Sequence, residues 1–363
     1  MKKKIYLFFA IIFSMFANLS FSQVSLEKNI VEYIEKHGLG VFDITFQSSS
    51  YWISTRNGLI KYDGTSFSYF FLKSGGPLDS NSISANTYDT VFSDLYNLYS
   101  NNEDLWAVPQ YTSVSPNSLY IYKINKNTVY KYEVYVSEYS RDYNIDNMTF
   151  DKNNSPALHI RYLLKKDGVY INGYDVFTLI DNKFSKKNLA KSPDESIYLF
   201  SCFNGIDYTL LQVATEEYFV LKLRFEDNSG KEIILDKSKE LYSYVKSYNY
   251  KDTRLLVTFY SNGKNIFLFL DSNYDYKYYQ PDSIYRKESE GFLIGENFYY
   301  LYNTGIFEQN FLLNSFKKIN VIDCKDCFVS NEAKIKGINN YLWCLFRKRY
   351  EYKNNNNVFL HKF

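Results

Sequence analysis

Apolar residues along this chain come in short runs of four to seven, cut by small groups of turn-forming residues. From Val41 on, this is the pattern of strands and turns rather than of surface helices. From Val41 the sequence reads "VFDITFQ", then "SSS", "YWIST", "RNG", "LIKY", "DGTS" and "FSYF". That is four apolar segments separated by polar breaks. Asn57-Gly58 and Asp63-Gly64 suit tight hairpin turns, because these residue types tolerate positive φ. The pattern predicts one four-stranded antiparallel meander. Such a sheet cannot bury both faces alone and needs neighbours.

The arrangement returns. "DLWAV" and "YIYKINKNTVYKY" repeat "YWIST" and "LIKYDGTSFSYF" with a longer insertion between. Weaker copies are "FTLIDNKFSKKNL", "VLKLRFEDNSGKEIIL", "FLFLDSNYDYKYY" and "NFLLNSFKKINVI". With Asp63, Asn125, Asp181, Asp227, Asp271 and Asn314 as markers, the spacing is roughly 43 to 62 residues, the period of a propeller blade with loop insertions. The expected fold is all-β: a single β-propeller of seven four-stranded blades at 41–72, 85–135, 145–188, 196–236, 242–280, 283–320 and 321–363. The last unit is one strand short. Residues 30–34, in "NIVEYIEK", are expected to supply its outer strand and close the ring. The spacing of "VSLEKNIVEYIEKHG" also fits a short helix.

Trp52, Trp106 and Trp343 stand in "YWIST", "LWAVP" and "LWCLF", each in the second strand of its unit. Large aromatics there would fill the space between neighbouring blades. A carbohydrate-stacking platform is the functional alternative, and equivalent positions in several units favour packing. Composition points the same way: 20% of residues are aromatic, with 38 Tyr and 30 Phe, and such side chains fit pleated, half-buried surfaces. A formal net charge of +2 gives no electrostatic case for nucleic acid or an anionic membrane.

The N-terminus reads as an export signal. Lys2, Lys3 and Lys4 precede an apolar stretch over 5–16, and Ser20 and Ser22 provide small residues before a cleavage point at Gln23. No Cys follows to take a lipid, and an uncleaved anchor is the alternative. No other run approaches the ~20 apolar residues of a membrane helix. The expected organisation is a signal peptide at 1–22 and a propeller at 23–363, exported to the periplasm, cell surface or exterior with no stable membrane span.

The stretch "EYIEKHGLGVFDITFQSSSYWISTRNGLIKYDGTSFSYF", followed by "SGGPLDSNSIS", resembles the two-component regulator propeller repeat. That repeat fills periplasmic sensor regions of hybrid two-component systems in Bacteroidetes-type bacteria. Its leading "dGL" is matched by Gly38-Leu39. Its "lWigT.nGL.ryDG..F..y" core is matched by Trp52, Ile53, Thr55, Asn57, Gly58, Leu59, Tyr62, Asp63, Gly64, Phe67 and Tyr69. Its "LssNsI" link is matched by Leu78, Ser80, Asn81, Ser82 and Ile83. The match is specific over 33–84, partial over the second unit and faint beyond. The resemblance implies a propeller in an extracytoplasmic setting. Full-length sensors of this kind carry two propellers, an immunoglobulin-like domain, a membrane helix and a kinase, which this chain cannot accommodate. Kinase activity is therefore not implied. The motif residues are structural, so no binding residue is carried over.

Candidate chemistry is sparse. His37, His159 and His361 show no metal-hydrolase spacing and read as ordinary strand or loop histidines. No nucleophile elbow or phosphate loop is present. "EDNSGKEIILD" lacks the acidic spacing of a calcium loop and reads as a hairpin turn. Cys324 and Cys327 form a C-x-x-C, with a local disulfide as the leading reading and free thiols or a metal or redox site as alternatives. No catalytic residue, metal or cofactor is expected. The function that fits is a non-catalytic binding module for a glycan, peptide or envelope protein at one mouth of the ring. An assembly scaffold ranks next, then a propeller-based polysaccharide lyase or hydrolase, which would need carboxylates converging at the channel.

Overall fold

The computed structural model describes residues 26–55, 58–70, 96–101, 103–109, 118–125, 128–136, 143–166, 169–227, 230–251, 253–280, 291–302, 305–313, 315–321, 334–339, 341–346 and 357–362. The expected signal peptide, Asn57 and the Cys324/Cys327 pair lie outside these residues. One helix, α1 (residues 26–36), precedes the strands.

Six antiparallel four-stranded blades follow in chain order. Blade 1 is β1 (Val41–Gln47), β2 (Ser50–Thr55), β3 (Gly58–Tyr62) and β4 (Phe67–Phe70). Blade 2 is β5 (Tyr96–Ser100), β6 (Leu105–Pro109), β7 (Ser118–Asn125) and β8 (Thr128–Tyr135). Blade 3 is β9 (Tyr143–Phe150), β10 (Pro156–Lys166), β11 (Val169–Ile180) and β12 (Lys183–Lys187). Blade 4 is β13 (Glu195–Phe203), β14 (Ile206–Ala214), β15 (Phe219–Phe225) and β16 (Glu232–Ser238). Blade 5 is β17 (Ser243–Tyr250), β18 (Arg254–Ser261), β19 (Lys264–Asp271) and β20 (Tyr276–Tyr279). Blade 6 is β21 (Gly291–Ile294), β22 (Asn297–Tyr302), β23 (Gly305–Asn310) and β24 (Ser315–Val321). A smaller final sheet has the order β25 (Lys334–Ile338), β26 (Tyr341–Phe346) and β27 (Asn357–Lys362).

Each sheet is a simple meander, because its strands are joined by turns too short for a crossover. Asp63 shows how such a turn is held. Its carboxylate accepts the Thr65 and Ser66 N–H groups at 2.9 and 2.8 Å, and Gly64 takes a φ of 96°. A Cβ at Gly64 would also sit 3.2 Å from Leu26 of α1.

The core lies between sheets rather than inside them. Trp52 and Leu59 pack on Leu98 and Tyr122 across the first seam. Trp106 packs on Met148 and Phe177 across the second, and Val176 meets Phe200 across the third. Further seams join Leu223 to Val257, Phe267 to Phe298, Leu301 to Cys344, and Trp343 to Tyr51 and Ile53. The clusters therefore run round a ring and return to the first blade. This all-β propeller arises because every sheet has two apolar faces and each needs a neighbour.

Ring closure differs from the sequence expectation. Residues 30–34 are helical and do not form an outer strand of the last sheet. Two features select the helix. Leu26, Ile30 and Ile34 fall on one stripe at four-residue spacing. The helix then ends in a Schellman turn: Gly38 N–H donates to Glu35 O at 3.1 Å, Leu39 N–H to Ile34 O at 3.0 Å, and Gly38 has a φ of 57°. Ile30 and Ile34 are buried in the seam between blade 1 and the final sheet, against Tyr341, Trp343 and Leu345. Glu27 is buried there too. It accepts the Tyr51 hydroxyl proton, and Asn339 donates to that same hydroxyl at 3.0 Å.

At the inner strands the seam is fastened by charge. Asp43 Oδ1 accepts Ile44 N–H at 2.8 Å and Lys336 Nζ at 2.7 Å. Asp43 Oδ2 accepts Leu98 N–H at 2.7 Å and Lys334 Nζ at 3.3 Å. Lys334 reaches on to Asn97 Oδ1, and Lys336 to Leu98 O at 2.9 Å. One carboxylate on β1 thus ties β25 to β5. Burial by itself raises the Asp43 pKa, but the two ammoniums and the hydrogen bonds outweigh it and hold the carboxyl below its usual value.

Two predictions follow from this closure. A carboxyl with a depressed folded pKa stabilises the fold above its unfolded value near ~3.9, and that contribution is lost as pH falls through the lower folded value. Urea unfolding from pH 7 to pH 2 should show wild-type stability falling below about pH 4. Asp43→Asn should be less stable at pH 7 by about 3–5 kcal/mol, with a flatter acid limb. Equal acid limbs would remove Asp43 from the account. Ile34→Ala should cost ~2–5 kcal/mol at unchanged urea m-value, read by tryptophan fluorescence. A loss under 0.5 kcal/mol, the size of a surface effect, would show that α1 does not seal the seam.

Candidate functional site

Inner strands line the channel of a propeller, so their side chains decide what its ends present. In four of them the ladder to the second strand slips near its beginning. Phe42 is extra between the Val41–Thr55 and Asp43–Ser54 pairs. Asp146 is extra between Ile145 and Asn147, and Tyr198 between Ile197 and Leu199. Tyr244 and Val245 together face the single residue left between Thr258 and Tyr260. A β-bulge bends its strand and re-aims the side chain at the bulge. Here the bulges sit in the first four residues of β1, β9, β13 and β17, so Phe42, Asp146, Tyr198 and Tyr244 are re-aimed at one end of the ring.

Two of these residues join a polar and aromatic array across the seam of blades 3 and 4. Asp146 Oδ1 lies 3.2 Å from Nε of Arg161, which projects from β10. Arg161 also faces Tyr174 across the β10–β11 ladder, and its guanidinium acts on the Tyr174 hydroxyl. The Tyr174 ring meets Tyr198 edge-on, with centroids 5.1 Å apart. The Tyr198 hydroxyl lies 2.9 Å from the Tyr242 carbonyl and 3.1 Å from Gln212 Oε1, so it has two acceptors for one proton. Gln212 Oε1 is held in turn by the Tyr242 N–H at 3.1 Å. Asn144, Asp146 and Ser196 are exposed beside this array.

The tyrosines are neutral at physiological pH. Burial and the Asp146 charge push Tyr174 up to about 12, against the opposing pull of Arg161. Burial and the neighbouring Tyr174 also raise Tyr198. A phenol serving as a general base would need the opposite shift. The array therefore offers hydrogen bonds, a guanidinium, a carboxylate and ring faces, the means by which proteins hold polar ligands.

The residues singled out in the sequence have other surroundings. Trp52, Trp106 and Trp343 lie in β2, β6 and β26 and are buried in three inter-sheet seams. Gly58 has a φ of 116° at the start of β3. His159 is buried on β10 with Nε2 2.9 Å from Thr149 Oγ1, and burial lowers its pKa to about 4. His37 is exposed beside Tyr33, and His361 lies on β27. The "EDNSGKEIILD" segment spans the β15–β16 connection, where Glu226 accepts the Thr209 hydroxyl at 2.7 Å and Arg224 at 3.4 Å. Cys202 and Cys344 are buried, and burial pushes the Cys344 thiol up to about 12. Among the described residues no three His, Cys, Asp or Glu side chains are placed to hold a metal.

None of the array residues was singled out in the sequence. Asp146 and Arg161 look there like ordinary solvent-facing strand residues. Asp43 alone carried a signal, as an acid in the middle of the apolar run "VFDITF".

No family model and no curated protein matches this chain. Solved structures do. It is similar to polysaccharide lyase Uly1 with a TM-score of 0.54 and 8% identity, covering 88% of this chain and 89% of that one. Streptogramin B lyase aligns with a TM-score of 0.47 and 12% identity, covering 84% and 90%. The extracellular domain of the putative one component system BT4673 from B. thetaiotaomicron aligns with a TM-score of 0.36 and 11% identity. That match covers 88% of this chain and 48% of the domain, so the chain spans about half its length. At such identities the likeness is one of fold: this is a β-propeller distantly similar to sensor domains and to other propellers.

Proposed function

We propose that this chain is an exported, non-catalytic binding module that takes a glycan at the end of the ring where the inner strands bulge. The observation that carries the reading is the Asp146–Arg161–Tyr174–Tyr198 array. Sugars present hydroxyls to planar polar groups and C–H faces to aromatic rings, and this array offers both. The raised tyrosine pKa values support binding over base catalysis. The three-stranded final sheet is read as the seventh blade of the ring, fastened by α1 and the Asp43 clasp. The repeat resemblance at residues 33–84 supports an extracytoplasmic, sensor-like role.

One observation favours a scaffold as the second reading. Leu312 and Leu313 are 66% and 77% exposed on the β23–β24 turn, while the adjacent Phe311 is buried. Asn310 Oδ1 fixes that turn by accepting the Leu313 N–H at 2.7 Å. A rigid apolar tip of this kind suits a protein contact.

The test is a glycan panel against the purified chain, read by thermal shift and then calorimetry. A bound glycan should lose about tenfold or more in affinity on Arg161→Ala, equivalent to about 1.4 kcal/mol, and similarly on Tyr198→Ala. Tyr198→Phe should lose less, because it keeps the ring. Affinity unchanged in both alanine variants would place the ligand elsewhere. No glycan bound would leave the scaffold reading, and a glycan consumed in the assay would make the protein an enzyme.

A further inference from the structure

We propose that His159 is a positioning residue for the Asp146–Arg161–Tyr174–Tyr198 array, and that taking up a proton drives it out of the seam between blades 3 and 4 and opens the array. The seam device stands on its own geometry, and its effect on a ligand rests on the glycan reading.

His159 sits one step along the strands from the array. It is two residues from Arg161 on β10, and its ladder partner Val176 is two residues from Tyr174 on β11. Phe200 is two residues from Tyr198 on β13. Thr149 is three residues from Asp146 on β9, where the bulge adds one. These residues form a relay across the seam. His159 Nε2 lies 2.9 Å from Thr149 Oγ1, and the Thr149 hydroxyl donates to the Phe200 carbonyl. A hydroxyl has one proton, so Thr149 accepts from the Nε2–H. The ring proton is therefore on Nε2, and Nδ1 carries a lone pair. His159 is 2% exposed, and its Nδ1 has no hydrogen-bond partner.

A second proton would go on Nδ1. It would leave a buried N–H without an acceptor and a charge among Ala157, Val176 and Phe200. The imidazolium gains solvation only where Nδ1 reaches water, so acid favours the open seam. Burial lowers the His159 pKa from 6.5 to about 4. Its contribution is intact above the ordinary histidine value and is lost as pH falls towards about 4, a window above that of Asp43. The other charged groups at this seam are Asp146 and Arg161 at the array, Asp151, Asp207 and Glu226 near the β9–β10 turn, and Lys187 on β12. Lys187 Nζ lies 3.6 Å from the Phe200 ring centroid. Burial raises the Asp207 carboxyl, and a raised carboxyl strengthens the fold as pH falls, which is the opposite sign.

Amide hydrogen exchange on the whole chain at pH 7 and pH 4.5, corrected for intrinsic rates, tests this. In wild type, protection of β9 and β13 should drop about tenfold or more at pH 4.5. His159→Gln keeps an N–H for Thr149 and does not titrate, so its protection should hold. No drop in wild type, or equal drops in the two proteins, would overturn the proposal. Should His159→Gln fail to fold by circular dichroism at pH 7, an NMR titration of wild type decides. An imidazole that takes its proton as β9 and β13 lose protection supports the relay, and one that takes it with both strands still protected overturns it. A glycan found in the panel should bind wild type about tenfold more weakly at pH 4.5 than at pH 7, with a smaller loss in His159→Gln. Glycan affinity that ignores an opening seen by exchange would fault the glycan site and leave the relay standing.

Discussion

The Asp43 carboxylate sets the condition under which this ring can close. A propeller must join its last sheet to its first, and a strand shared between the chain ends does so through backbone hydrogen bonds. Here the residues best placed to supply that strand are helical instead. Closure passes to side chains: α1 fills the apolar part of the seam, and Asp43 gathers Lys334, Lys336 and the Leu98 amide at the channel. Neither part substitutes for the other. The helix buries surface without directing register, whereas the carboxylate fixes β25 against β1 and β5 with little apolar gain. A buried pair of this kind contributes modestly when complete and costs heavily when broken.

That constraint connects to the bulged inner strands. Phe42 bulges immediately before Asp43, so the slip that re-aims Phe42 also sets the phase of the carboxylate. The bulges in β9, β13 and β17 do the same for Asp146, Tyr198 and Tyr244. One backbone device thus serves closure on one side of the ring and presents polar and aromatic groups on the other. The scaffold beneath is uniform inter-sheet packing, which leaves the channel end free to vary in chemistry.

Much of the architecture was readable from the chain. Period-two apolar runs, Asp and Asn turns and the recurring tryptophans announce meanders that pack face to face, and Trp52, Trp106 and Trp343 do lie between sheets. The end of the ring was harder. "NIVEYIEK" satisfies both a strand and a helix pattern, and what separates them is a capping geometry at Gly38 and Leu39 together with a seam that exists only after folding. The candidate site was not readable at all. A bulge shifts register by one residue without leaving a mark in composition, so Asp146 and Tyr198 look like any other strand residues. Arg161 and Tyr174 share blade 3 with Asp146, and Tyr198 joins them only because the neighbouring blade supplies it across the seam.

The central claim is that side-chain charge fastens the ring. A double-mutant cycle between Asp43→Ala and Lys336→Met, read by equilibrium urea unfolding at pH 7, tests it most directly. The account expects a coupling of about 2 kcal/mol or more between the two sites. Additivity within about 0.5 kcal/mol would contradict it and leave closure to the helix and the apolar seam alone.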